Sequence, residues 1–245
     1  MQEILNLIFD KHFFGIHRSS GNSTTVLHHQ SIDSGASFFK ENLKEVIRTN
    51  HKNPEKINLY YFPEKYTLIP SSVFLPSKSE SYYNLNFGQL NSDEIIHYES
   101  IVSLNLVVVY TIPTWLNDLK SEINAFGEIR STLVKQLILL EKDKDSDLVD
   151  CVLNQGWMDV CVKSNGKLLL ANQYEIHNED DLVYFLLLIR KKLNLADNTS
   201  INIHNIGSML SNHQIKSLTE SIQDFNQIDI RFSDTPSFYT SILCE

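Results

Sequence analysis

Glycine is scarce in this 245-residue chain, eight in all, and none of the familiar glycine-built loops occurs. There is no Gly-x-x-x-x-Gly-Lys-Ser/Thr loop, no Gly-x-Ser-x-Gly elbow and no Gly-x-Gly-x-x-Gly fingerprint, which removes the corresponding phosphate, acyl-transfer and dinucleotide sites. Cysteine is scarcer still. Cys151, Cys161 and Cys244 form no Cys-x-x-Cys pair, and an odd count gives no disulfide framework. Basic charge is thin, with 21 Lys and Arg against 30 Asp and Glu, for a formal net charge of -9. A nucleic-acid partner is therefore not expected, since a general binder needs a basic stripe to release counterions from phosphates. The one dense basic cluster, Arg190-Lys191-Lys192, is explained by the end of a helix. The longest apolar run, Leu182 to Ile189, is far too short to span a bilayer. The opening MQEILNLIFD has neither the basic region nor the small-residue cleavage site of a signal peptide. The nine histidines, among them His12, His17, His28 and His29, lack Cys or acid partners at zinc spacing, so no metal is expected. The expectation is a cytoplasmic protein that engages no membrane.

Apolar residues make up 42% of the chain and aromatic residues 10%, enough for a well-packed core. Ile4 to Asp10 reads as a strand with Leu5, Leu7 and Phe9 on one face. Phe13 to Arg18 returns beside it, setting Phe14 and Ile16 next to Phe9 and Leu7. Ser23 to Ile32 is a third strand, and a helix follows from about Gly35 to Arg48. Ile57 to Phe62 is a fourth strand. The middle is less regular, with short strands expected at Tyr66 to Ile69, Tyr82 to Phe87 and Glu94 to Tyr98. Its tyrosines (Tyr60, Tyr61, Tyr66, Tyr82, Tyr83 and Tyr98) read either as a binding platform or as rings packed on a small core, the second being favoured. Asn105 to Thr111 is a Val-rich central strand, and Pro113 stands at the head of a helix from Thr114. Gly127 to Arg130 is a short strand, and a helix through Leu140 leads into the second half.

A second run of the same elements starts at Leu148. Strands over Leu148 to Asn154 and Trp157 to Lys163 meet at Gln155-Gly156. Pairing across that turn sets Leu153 opposite Met158, Cys151 opposite Val160 and Val149 opposite Val162. Cys151 and Cys161 then lie on opposite faces and are not bonded. Asn165-Gly166 turns the chain into a third strand. A helix follows, opening on Glu179-Asp180-Asp181 and closing on Arg190-Lys191-Lys192, the charge order a helix dipole prefers. Ile201 to Asn205 is a fourth strand, Ile228 to Phe232 a last one, and Thr235-Pro236 opens a terminal helix. A strand–strand–strand–helix–strand unit thus occurs twice, at about 4–62 and 148–205.

Two such units, joined through strand, proline, helix, strand and helix, resemble the actin-like ATPase superfamily, whose domains are ribonuclease H-like. The runs YTLIPSSVF and LLLANQYEIHNEDDLVYFLLL also resemble a bacterial family, domain of unknown function thirty-eight twenty-two, which has no established activity. The resemblance implies an α/β fold of two actin-like domains. Each would hold a mixed sheet built from a three-strand meander plus further strands, with flanking helices. The first domain is expected over 1–130, with an irregular insertion at about 64–100, and the second over 131–245.

In that superfamily each half supplies a phosphate loop at its first hairpin, Asp followed by Gly, and a Gly-Gly loop follows a late strand. The matching positions here are Asp10 in Phe9-Asp10-Lys11-His12-Phe13, Asn154 and Gly156 in Leu153-Asn154-Gln155-Gly156-Trp157, and Gly207 in Asn205-Ile206-Gly207-Ser208. One acid is replaced by an amide and most glycines are missing. The resemblance therefore implies a vestigial cleft lined by Asp10, Asn154, Gly156 and Gly207, with no catalytic residue, no cofactor and no metal. The expected protein is a pseudo-ATPase that works through an unidentified protein partner, as scaffold or assembly factor; a homo-oligomer is left open. Two alternatives stand beside it. One is a divergent ATP-binding enzyme of the actin-like ATPase or sugar kinase class. The other is a binder of a small ligand in the interdomain cleft.

Overall fold

A computed structural model describes residues 4–10, 13–20, 23–31, 43–45, 57–122, 126–142, 147–154, 156–196, 198–206, 210–226 and 229–233. The chain divides into two compact units, the first running through Lys135 and the second starting at Gln136.

The first unit opens with β1 (Ile4–Phe9), β2 (Phe13–Ser20) and β3 (Ser23–Ser31), an antiparallel meander. β4 (Ile57–Tyr61) lies parallel to β1 on its other side, and β8 (Phe126–Ser131) lies parallel to β4. The sheet order is β3-β2-β1-β4-β8. Leu5, Leu7, Phe9, Phe14, Ile16 and Leu59 are all buried, and Phe9 meets the rings of Phe14 and Trp115 at 6.4 and 5.9 Å. Of the helix expected at 35–48, only Leu43 to Glu45 are described, and they are helical.

The stretch between β4 and β8 carries a second sheet, β5 (Tyr66–Pro70), β6 (Glu94–Ile101) and β7 (Leu106–Pro113), antiparallel in the order β5-β7-β6. Helix α1 (Ser79–Phe87) packs on it. This corrects the strand expected at Tyr82 to Phe87. Tyr83, Leu85 and Phe87 alternate with Asn84 and Asn86, a period of two that reads as a strand. The packing decides otherwise: Tyr83 and Phe87, one helical turn apart with rings 5.0 Å apart, join Val107 and Val109 in a small core. Gly88 closes the helix at φ 80°, its N–H donating to Asn84 O. Tyr60, Tyr61, Tyr66 and Tyr83 are buried, so most of the tyrosines are core rather than platform. Helices α2 (Thr114–Glu122) and α3 (Thr132–Lys142) flank β8 in sequence.

The second unit repeats the first sheet. β9 (Leu148–Asn154), β10 (Trp157–Ser164) and β11 (Lys167–Glu175) form the meander, and β12 (Ser200–Asn205) and β13 (Ile230–Ser233) are parallel additions. The order is β11-β10-β9-β12-β13, with the same strand directions as in the first sheet. The pairings Leu153 to Met158, Cys151 to Val160 and Val149 to Val162 stand as the sequence predicts. Both Cys151 and Cys161 are buried free thiols. Helix α4 (Glu179–Leu193) lays Leu182, Leu186 and Ile189 on the face made by Val149, Cys151, Leu153, Met158, Val160 and Val162. Helix α5 (Asn212–Asn226) adds Ile215 to the same core. The terminal helix expected from Thr235 lies outside the described residues.

The two sheets agree residue by residue. One interval in residue number carries Phe9 to Leu153, Phe14 to Met158, Leu59 to Ile203 and Tyr61 to Asn205, and it preserves every pairing among these strands. Each meander also carries one irregularity between its second and third strands, at Ile16/His17 and at Val162/Lys163.

Candidate functional site

The positions that concern function are the residues at or just past the end of the first strand of each sheet and those just past the fourth. In the first unit, Phe62 N–H donates to Phe9 O at 2.8 Å; in the second, Ile206 N–H donates to Leu153 O at 3.0 Å. These bonds extend the parallel ladder one step beyond the last paired strand residues, and they bring the chain after the fourth strand beside the first hairpin corner. Asp10 follows Phe9 and Asn154 follows Leu153, so the two are equivalent positions of equivalent sheets. Both are buried, at 4% and 9% exposure.

In the second unit the corner is described closely. Asn154 pairs with Trp157 at the end of the ladder, and Gly156 adopts φ 87°, which a side chain disfavours. Gly156 O accepts from Ile176 N–H at 2.6 Å, which ties the end of the third strand to the turn. Asn154 and Gly156 are thus brought together. Gly207 lies outside the described residues, directly after Ile206. Its flanks are held by Asn205, whose Nδ2 donates to Leu210 O at 3.3 Å and to Asn212 Oδ1 at 2.6 Å. Ser211 caps α5: Ser211 N–H and Oγ–H both donate to Gln214 Oε1, and Gln214 N–H donates back to Ser211 Oγ. Gln214 Nε2 then reaches Glu179 Oε1 at the start of α4, at 2.6 Å. Ser-x-x-Gln was the legible signal for this arrangement; the clamp by Asn205 had none.

In the first unit Tyr61 lies near Asp10. Burial pushes the Tyr61 hydroxyl far up, and Glu64, Asp10 and Glu94 push it in the same direction. Tyr61 O accepts from Thr132 Oγ1 at 3.3 Å. Beside this stands a polar knot. Glu99 Oε1 accepts from Tyr110 Oη at 2.7 Å and from Ser131 N–H at 2.6 Å, and burial raises the Glu99 carboxyl. The ring of His97 meets Tyr110 edge-on at 5.5 Å, and burial lowers its pKa.

The second unit holds buried polar groups on the face away from its core, and sequence reasoning missed them. Asp150 accepts from Gln136 Nε2 at 2.7 Å and meets His204 Nε2 at 2.9 Å. Lys163 Nζ donates to Leu140 O at 3.0 Å. Asp159 accepts from Gln173 Nε2 at 3.0 Å, and burial pushes its carboxyl up to about 7. Val152 and Cys161 share this face, and that apolar admixture was the signal that it is covered. Among the described residues, no three His, Cys, Asp or Glu side chains are grouped as metal ligands. No described helix is long and apolar enough to cross a membrane.

Comparison with known proteins gives the fold a setting. A Bacteroides thetaiotaomicron VPI-5482 protein, described as having an actin-like ATPase fold and unknown function, superposes with a TM-score of 0.78 at 19% identity, over 100% of this chain and 96% of that one. A chain of the PilM-PilN type IV pilus biogenesis complex gives 0.59 at 9% identity, covering 98% and 89%. The ethanolamine utilization protein EutJ from Carboxydothermus hydrogenoformans gives 0.51 at 6%, covering 100% and 89%. A search of curated proteins finds no match. These likenesses carry the fold: two ribonuclease H-like domains of the actin-like ATPase kind. Residues 4–225 match the family described as "Protein of unknown function (DUF3822)", and the chain belongs to that family.

Proposed function

We propose that this is a non-catalytic actin-like protein that works by binding another protein, as a scaffold or assembly factor. The observation that carries the reading is the equivalence of Asp10 and Asn154. An ATPase of this fold needs metal-bound water oriented by acids, and phosphate charge met by backbone donors that glycine allows to approach. The two equivalent corners offer one carboxylate and one amide between them. The interval that relates the sheets also matches Gly156, at φ 87°, to His12 in the sequence. The first corner reads Asp10-Lys11-His12-Phe13, without a glycine. This donor set does not fit a magnesium nucleotide, and no hydrolytic step is derived through one. Losing one preorganised group commonly costs about 10²–10³ in rate, and here several are missing together. The shared sheet order and constant interval further support an internal duplication. The PilM-PilN complex, which contains a chain of this fold, gives a precedent for such a chain within a protein assembly.

The experiment is phosphate release from ATP with Mg²⁺, comparing the wild type with Asp10→Ala. Both are expected to match the protein-free background. Turnover in the wild type that vanishes in the variant would overturn the reading and promote the enzyme alternative.

A further inference from the structure

Helix α4 has a second face that its core does not use. Leu182, Leu186 and Ile189 are buried, but Tyr184 and Leu187 stand in solvent at 60% and 41% exposure. Asp180 and Lys191, also exposed, extend the same stripe to either side. The four positions are spaced four, three and four residues apart, so they share one face of the helix. That spacing is symmetric about the midpoint between Phe185 and Leu186. The charges are antisymmetric about the same point, acid at one end and base at the other.

We infer that this stripe docks a second copy of the chain, with the two α4 helices packed antiparallel about a two-fold axis. A two-fold contact requires a surface complementary to itself. Reversing one helix against the other sets Tyr184 on the partner's Leu187 and Asp180 on the partner's Lys191, twice over. A parallel contact would set acid on acid and base on base. The neighbouring acids are engaged within the molecule: Glu179 accepts from Gln214, and Asp181 Oδ2 accepts from His177 N–H at 2.8 Å. Among the described residues, no hydrogen bond or ion pair occupies the side chain of Asp180 or Lys191, so these charges remain available to the second copy. One helix face is a small interface, and rim charge pairs favour register and approach over affinity. The association is therefore weak and salt-sensitive.

The test is sedimentation of the full chain up to about 1 mM, a range suited to weak association. The wild type is expected to dimerise with rising concentration. Asp180→Lys and Lys191→Asp are each expected to weaken it about tenfold or more, because each places like charges opposite one another. An equimolar mixture of the two variants restores association, since each then offers the charge the other lacks. Carbodiimide coupling of the wild type, which needs no variant, is expected to join Asp180 to Lys191. These residues are about 16 Å apart along one helix, beyond a zero-length link, so such a bond forms only between chains. A wild type that stays monomeric, a dimer indifferent to both reversals, a mixture no stronger than its parts, or the absence of the Asp180–Lys191 link would each overturn the inference.

Discussion

Asn154 holds in the second sheet the position that Asp10 holds in the first. Each follows a residue, Leu153 or Phe9, whose carbonyl accepts from the residue after the parallel neighbour strand. An amide is accommodated at one of these corners, and the other adds a negative charge near Tyr61, whose hydroxyl Glu64 and Glu94 also act on. Asp10→Asn removes that charge while keeping the shape. The expected change in unfolding free energy is below about 1 kcal/mol, small among point substitutions. Chemical denaturation measures it. A loss of about 2 kcal/mol or more would give the carboxylate itself a structural or ligand-holding task.

Gly156 tests the backbone of the same corner. At φ 87° a β-carbon is strained, and the carbonyl of this residue is held by Ile176 N–H. Gly156→Ala is expected to destabilise by about 1 kcal/mol or more, because alanine must adopt the disfavoured region or break that bond. An unchanged denaturation midpoint would show that the turn relaxes freely.

The meanders were legible because short-range chemistry fixes them. Asn165 and Gly166 supply two successive positive φ values, 51° and 70°, as a two-residue hairpin turn needs. Alternation along β9 and β10 then leaves one register that buries both apolar faces. In the second sheet of the first unit the strands were legible but the arrangement was not, since β5 pairs with β7 across a long stretch and α1 packs on Val107 and Val109. At the candidate site, Asp10, Asn154, Gly156 and Gly207 came from the resemblance to the actin-like superfamily, whose loops follow the matching strands. The buried Asp150, Asp159 and Lys163 did not, because alternating polar residues read as a solvated face until Gln136 and Leu140 are found against Asp150 and Lys163.

Asp159 makes the second unit sensitive to pH. Burial raises its folded-state value from 3.8 to about 7, with Gln173 opposing. A raised carboxyl contributes stability that is whole below the unfolded value and is lost as pH rises through the folded one. Stability from this group therefore falls between about pH 4 and pH 7, by at most about 4 kcal/mol. Asp159→Asn keeps an acceptor for Gln173 and removes the titration. It is expected to be more stable than the wild type at pH 8 and to lose that advantage at pH 4. Denaturant titrations at both pH values decide this; equal gains at both would place the effect in packing.

Glu99 and Tyr110 give the last prediction. Glu99 Oε1 is shared between the Tyr110 hydroxyl and Ser131 N–H, and Tyr110 and Ser131 are fully buried. Ser131 Oγ in turn accepts from Leu133 N–H at 3.1 Å, at the head of α3, so the carboxylate fixes the residue that caps the helix. Glu99→Ala leaves one buried hydroxyl and one buried N–H unmatched and is expected to cost about 2–4 kcal/mol. Glu99→Gln keeps an acceptor and is expected to cost about half as much, since it loses only the charge assistance. Tyr110→Phe removes one of the two donors. If the hydroxyl bond is formed in the native state, Tyr110→Phe must cost less in the Glu99→Ala background than alone, with a coupling of about 1–2 kcal/mol across the double-mutant cycle. Additive costs would show that Glu99 serves Ser131 alone and that the Tyr110 hydroxyl contributes nothing to the knot.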